Sequence, residues 1–148
     1  MSILVLGGTA WLGSCVVAAA RDRGHKVTAL ARGVAGPMAV GAAHIIVDRD
    51  LPDAYATVAE QSWDVVVDVA RQPGQVRRAV HALAQRAASF TFVSTGNVYA
   101  DHSKHNSDET SALLPPLDGE VMADMGSYGE AKLRASKLLR LASALTDI

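Results

Sequence analysis

A single cysteine, Cys15, stands in 148 residues, so neither an internal disulfide nor a cysteine-built metal cluster is open to this chain. That suits a reducing compartment, and the cytoplasm is the expected location. Aromatic residues make up only 5% of the sequence, and 14 Lys and Arg against 15 Asp and Glu leave a formal charge of -1. Without a basic field for a phosphate backbone, and with few rings on which bases stack, nucleic acid is not an expected partner. No apolar run approaches the roughly 18 residues of a membrane helix, and Met1 to Leu6 lacks the length and basic flank of a signal peptide. A membrane partner is therefore not expected either. What the chain has in quantity is hydrophobic residues, 49%, enough for the core of one domain covering residues 1–148.

Ser2 to Leu6 (SILVL) is a short apolar run stopped by Gly7-Gly8, the pattern of a strand buried on both faces. Trp11 to Arg23 follows with Leu12, Val16, Ala19 and Ala20 at helical spacing, and Gly24 as its stop. Further strands are expected at Lys26–Leu30, Ala43–Val47, Trp63–Val69 and Ser89–Ser94, with helices over Asp53–Gln61, from Pro73 to about Ala88, and from near Ser127 to the end. The last helix carries Leu133, Leu138, Leu139, Leu141 and Leu145. A long polar segment from Gly96 to Gly126, with Pro115 and Pro116, reads as a functional lid or a disordered loop. Strands alternating with helices predict an α/β fold with a doubly wound parallel sheet in the order 3-2-1-4-5. With no sixth strand to cover it, strand five leaves an apolar edge on which a homodimer is conceivable.

Between strand one and helix one lie Gly7, Gly8, Thr9, Ala10, Trp11, Leu12 and Gly13. Backbone N–H groups and the helix dipole converge there on an anion, and a pyrophosphate fits. Gly7 allows the tight turn and Gly13 the close packing of helix on strand, while Ala10 replaces the middle glycine of G-x-x-G-x-x-G. At the end of strand two, where an NAD site places an acid on the ribose, the sequence has Arg32 instead. A guanidinium suits a 2′-phosphate, so NADP is expected ahead of NAD.

Tyr128 and Lys132 lie four apart on the last helix and so share a face. An ammonium beside a phenol favours its ionised form, which suits proton exchange with a substrate hydroxyl or carbonyl. Ser94-Thr95-Gly96-Asn97-Val98-Tyr99 ends strand five, at the carboxyl edge where open α/β sheets bind ligands. With the glycine turn first, S-T-x-x-V-Y after a strand and Y-x-x-x-K on the following helix, residues 1 to about 140 resemble the extended short-chain dehydrogenase/reductase superfamily, in its NAD-dependent epimerase/dehydratase branch.

The resemblance implies a Rossmann-type dinucleotide domain, here the cofactor-binding front portion. It also implies hydride transfer at a carbinol or ketone carbon of a small polar substrate such as a sugar nucleotide. By position it makes Thr95 the group that polarises the substrate oxygen, Tyr128 the acid/base and Lys132 the ribose-binding lysine. Asp48 and Arg49, just after strand three, match the family's position for contact with the adenine amino group, and Ala70 lies in the stretch beside the cofactor. Val69-Ala70-Arg71 departs from the family's Asn-Ala-Gly-like sequence there. Gly96 and Asn97 stand where family dehydratases carry an Asp-Glu pair, so sugar dehydration is not expected. The rival reading is a redox-sensing module that binds the dinucleotide without turnover, or a chain inactive by itself. His102 and His105 with Asp101, Asp108 and Glu109 are read as a polar lid, with no metal expected. Cys15 and Trp11 are read as packing residues, Cys15 in the interior face of helix one and Trp11 under the glycine turn.

Overall fold

Five parallel strands lie in the order β3-β2-β1-β4-β5, the doubly wound order expected from the sequence. The computed structural model describes residues 1–103 and 105–146, with side chains of the last helix described as far as Ala142. β1 (Ser2–Leu6) is central, flanked by β2 (Lys26–Ala31) and β4 (Val65–Asp68), with β3 (Ala43–Ile46) and β5 (Phe90–Phe92) at the edges. In register, Val5 stands between Ala29 and Val67, and Leu6 between Leu30 and Asp68.

Successive side chains of a strand point to opposite faces, so an unbroken apolar run must be covered on both. Leu4 and Leu6 accordingly pack with Leu30, Trp63, Val66 and Leu83 on one face, and Ile3 and Val5 with Val17, Val27 and Ala29 on the other. Leu4 and Leu6 are fully buried, and truncating either to alanine costs about 2–5 kcal/mol. α1 (Trp11–Asp22) covers the Val5 face, and α2 (Ala56–Ala59) and α3 (Pro73–Leu83) the Leu4 face. α4 (Tyr128–Thr146) lies against α3, with Ala135, Leu139 and Ala142 meeting Val76 and Val80. Among the described residues no helix is long and apolar enough to cross a membrane.

Several expected elements are shorter, for identifiable reasons. Only Ala56–Ala59 of the helix expected over 53–61 is α-helical, because the chain before it closes in tight turns. The N–H of Leu51 reaches the Asp48 carbonyl at 3.1 Å and that of Ala54 the Leu51 carbonyl at 3.3 Å. The helix expected to reach Ala88 ends at Leu83, since Ala87 pairs with Trp63 as a parallel bridge and draws the chain toward β5.

The inner face of α1 is Gly13 and Val17, buried, with Val16 and Ala20 partly buried beside them; Val16 and Ala20 lie on the expected face, and Leu12 and Ala19 do not. Because Gly13 has no side chain, the helix seats against the glycine turn on that side. Cys15 is consequently exposed rather than internal, as are Ala19 and Leu12. Trp11 does not pack under the turn; it is 80% exposed. In α4, Leu133 is buried but Leu141 is exposed, and the side chain of Leu145 lies outside the described residues.

The segment expected as a lid is pinned at several points. Ala100 N–H donates to the Ala112 carbonyl and Leu114 N–H to that of Val98, both at 2.9 Å, so the chain doubles back on itself. Gln72 grips Met122 from both sides, accepting its N–H at 2.6 Å and donating to its carbonyl at 3.3 Å.

Candidate functional site

The carboxyl end of β1 runs into the glycine turn, whose geometry explains its residues. Gly7 has φ +96°, a left-handed conformation that favours glycine. A Cβ at Gly13 would stand 2.1 Å from the Gly7 carbonyl oxygen, so α1 approaches the turn as closely as backbone allows. Ala10 has φ -78° and ψ 163°, an extended conformation open to any residue, and its methyl is exposed. Nothing in the backbone requires a glycine there. The first N–H groups of α1 have no partner within the helix and face outward from this turn.

A cleft opens over the turn, lined by Gly7, Thr9, Ala10, Arg32, Asp48, Arg49 and Ala70 from among the expected residues. Gly8 and Gly13 are buried behind it, and Trp11 and Leu12 stand exposed on α1 without lining it. Val34, Val69, Arg71 and Gln75 also line it, none of them singled out from the sequence for this role. Arg32 Nη1 lies 3.9 Å from Asp48 Oδ2, both groups largely exposed. NADP was expected because no acid stands at the end of β2; the fold supplies one from the end of β3. A 2′-phosphate beside Arg32 would also meet the Asp48 carboxylate, so that ground for preferring NADP falls away.

Arg49 lines the cleft, but its guanidinium turns inward, and the residue is 5% exposed. It grips the fully buried Asp68 with two bonds, Nη1 to Oδ1 at 2.8 Å and Nη2 to Oδ2 at 2.6 Å. Burial alone pulls the Arg49 pKa down, but Asp68 outweighs it and raises the net value, so the guanidinium stays charged. Its Nε donates to the Tyr55 hydroxyl at 2.8 Å, which donates in turn to the Gln75 carbonyl at 3.0 Å. Burial raises the Tyr55 pKa, against the opposing pull of Arg49.

Thr95, Tyr128 and Lys132 do not line this cleft; Lys132 reaches its edge at Ala70, and the turn that carries Thr95 packs against the start of α4, which carries Tyr128. Thr95 opens a 3₁₀ turn, Gly96–Val98, its Oγ1 accepting the Asn97 N–H at 3.3 Å while its own hydroxyl proton stays available to donate. Tyr128, half-buried, follows a second 3₁₀ turn, Met125–Ser127, which Asp124 caps by accepting the Gly126 N–H at 2.8 Å. A Cβ at Gly129 would lie 2.1 Å from the Asn97 carbonyl oxygen. Glycine at that position therefore lets α4 close onto the turn that carries Thr95.

Lys132 is 2% exposed. Its Nζ donates to the Ala70 carbonyl at 2.9 Å and to the Val93 carbonyl, and lies 4.2 Å from the centre of the Phe92 ring. Burial lowers its pKa to about 8, with Asp68 opposing the shift and Arg71 adding to it. An ammonium has three N–H donors, so two are spent on β4 and β5 and one remains. Ala70 is the junction: it lines the cleft and also holds the lysine. Asp101 and Asp108 face their own loop, accepting from Ser103 and from Thr110 respectively, which lowers both pKa values.

Asp68, Gln72 and Gly129 escaped the sequence reading, whereas Arg71 was placed only as part of the stretch beside the cofactor. An acid closing the otherwise apolar run Val65-Val66-Val67 signals a buried partner. A glycine in the first turn of a helix, where it costs about 1 kcal/mol against alanine, signals a close approach.

The family model described as the NAD dependent epimerase/dehydratase family matches residues 3–148. No curated protein matches the chain. Among solved structures it is similar to UDP-galactose 4-epimerase (TM-score 0.82, 19% identity, 98% of this chain and 52% of that one). It is also similar to UDP-N-acetylglucosamine 4-epimerase from Bacillus cereus (0.74, 21% identity, 100% and 52%). A third similar structure is a short-chain dehydrogenase/reductase superfamily protein from Agrobacterium tumefaciens with bound NAD (0.69, 23% identity, 95% and 44%). The chain spans about half the length of these proteins, and at such identities the likeness is one of fold.

Proposed function

Because the chain belongs to the NAD dependent epimerase/dehydratase family, we propose that it builds the dinucleotide site and proton-handling groups of an NAD-dependent oxidoreductase or epimerase acting on a sugar nucleotide. The observation that carries this reading is the double role of Ala70, which borders the glycine-turn cleft and anchors Lys132. It ties the place where a pyrophosphate fits to Lys132, which shares α4 with Tyr128.

The residues present fit a nicotinamide dinucleotide. Gly7 leaves the backbone bare where a pyrophosphate approaches, Gly13 lets α1 close onto the turn, and the N-terminus of α1 supplies N–H donors and a positive dipole end. Asp48 and Arg32 at the far end of the cleft suit ribose hydroxyls and adenine, and the paired acid favours NAD over NADP. When bound, the nicotinamide supplies the hydride acceptor and donor. Lys132 directs its remaining N–H toward ribose. Thr95 donates its hydroxyl proton to the substrate oxygen, and the Tyr128 hydroxyl, which makes no hydrogen bond among the described residues, exchanges a proton with that oxygen. Gly96 and Asn97, beside Thr95, provide no carboxylate for elimination of water. That favours epimerisation or simple oxidation and reduction over dehydration. Kept Thr95, Tyr128 and Lys132 favour turnover over a sensing module, in which they would be idle.

The test is twofold: net reduction of NAD by UDP-glucose or UDP-galactose, followed as NADH fluorescence, and interconversion of the two sugar nucleotides, which returns the hydride and leaves no net NADH. Each is run in the presence of the chain, with Tyr128→Phe alongside. Loss of at least about a hundredfold in the variant is expected. An equal rate in both proteins, or no turnover in either assay, contradicts the reading.

A further inference from the structure

Beneath the cleft a buried ion pair reaches Lys132 through a single residue, Ala70, whose N–H and carbonyl belong to successive peptide groups. Asp68 ends β4 with no exposure to solvent. Its Oδ1 accepts from Arg49 Nη1 and also from the Ala70 N–H, each at 2.8 Å. The carbonyl of the same residue, Ala70, accepts from Lys132 Nζ at 2.9 Å. Arg49 is itself fixed by Tyr55, by both Asp68 oxygens and by the Gln75 carbonyl, so four of its five N–H donors are engaged.

We propose that Asp68 is a positioning residue for Lys132: by holding the Ala70 N–H it aims the Ala70 carbonyl at the lysine, and Arg49 with Tyr55 serves to keep Asp68 in that place. Stability does not by itself explain a buried ion pair, since well-packed apolar residues of similar volume do as well or better. Apolar residues cannot hold the Ala70 N–H, and that is the property the site requires. Lys132 has few other guides. Asp68 and Arg71 are the charged groups that face it from the end of β4; β5 offers the Phe92 ring and the Val93 carbonyl, and its own helix places Tyr128 one turn away. Of the two carbonyls that accept from Lys132 Nζ among the described residues, those of Ala70 and Val93, only that of Ala70 belongs to a residue whose N–H bonds a buried carboxylate.

The inference rests on the reading of Lys132 as a working residue, but its test needs neither cofactor nor substrate. The chain has four lysines, Lys26, Lys104, Lys132 and Lys137. In the whole chain labelled with carbon-13 lysine, Lys132→Arg assigns the Lys132 signals, and the Phe92 ring displaces its methylene proton shifts. Two double variants are compared with the wild type. Arg49→Met with Asp68→Leu removes both charges and the acceptor, whereas Arg49→Gln with Asp68→Asn removes the charges and keeps an acceptor for the Ala70 N–H. In the first, the ring-induced displacement is expected to collapse and the Lys132 titration midpoint to move by about half a pH unit or more. In the second, the displacement is expected to return. Unchanged Lys132 shifts in a folded first variant overturn the proposal. So does failure of either variant to fold, because the pair would then be a requirement of the fold rather than of the lysine. A chain that passes this test and binds no dinucleotide would sink the proposed function and leave the positioning role standing.

Discussion

The carbonyl oxygen of Asn97 lies 2.1 Å from where the Cβ of an alanine at Gly129 would stand. This contact joins the turn that carries Thr95 to the helix that carries Tyr128 and Lys132, and because the obstacle is backbone it cannot be relieved by a side-chain rotation. Gly129→Ala is expected to destabilise the chain by about 1–3 kcal/mol in urea denaturation. An unchanged midpoint would mean that α4 sits on the turn more loosely than this contact requires.

Gly13 and Ala10 belong to one motif and should respond oppositely to substitution. Gly13→Ala forces a Cβ onto the Gly7 carbonyl, with an expected cost of about 1–3 kcal/mol and loss of dinucleotide affinity. Ala10→Gly introduces the glycine usual at that position, yet Ala10 already has an ordinary extended conformation. Its affinity for NADH should stay within about threefold of wild type. A large gain, read by calorimetry, would show that the Ala10 methyl obstructs the phosphates.

Buried Lys132 makes stability depend on alkaline pH with a definite sign. It loses its proton near pH 8 in the folded chain and near 10.5 when unfolded. Between those values the unfolded state binds more protons, so stability rises with pH, by at most about 1.4 kcal/mol per unit. Below pH 8 both states are charged and the cost of burial is present in full. Tyr55 acts in the other direction above about pH 10, since its raised pKa keeps it neutral in the fold while the unfolded phenol ionises. Urea midpoints from about pH 7 to about pH 10 should therefore climb in the wild type and stay flat in Lys132→Met. A wild-type profile without the climb contradicts the burial of a charged lysine.

Asp48 lies beside Arg32 in the cleft, and its carboxylate would repel a 2′-phosphate. Asp48→Ala is expected to improve NADPH affinity relative to NADH by roughly 3–10-fold, the scale of an exposed charge pair. Parallel titrations with both nucleotides check this. An unchanged ratio would place the adenosine end away from Asp48.

The strand order and the glycine turn were legible in the sequence because both rest on local signals: apolar runs broken by glycines, and motifs whose spacing is set by one helix or one turn. The misplacement of Leu12, Cys15 and Ala19 on the inner face of α1 was not avoidable by periodicity alone. Leu12 and Cys15 fall at helical spacing just as Gly13 and Val17 do, and only the close seat of Gly13 against Gly7 decides which stripe faces the sheet. The partners of the charged residues were hidden for a different reason. Arg49 and Asp68 lie 19 positions apart; Arg49 follows β3 and Asp68 ends β4, with β2 and β1 between those strands in the sheet, so only the assembled fold brings them together. The same topology brings Asp48, just after β3, to Arg32 at the end of β2, which removes the ground for preferring NADP that was read from β2 alone.

The most direct test of the central claim is calorimetric titration of the chain with NADH and NADPH, with Gly13→Ala as control and folding checked by circular dichroism. The expected result is binding of one NADH per chain, tighter than NADPH, and weakened at least about tenfold in the variant. A folded wild-type chain that binds neither nucleotide, or binds NADH equally well with the Gly7–Gly13 approach disrupted, would contradict the assignment of the glycine-turn cleft as the dinucleotide site.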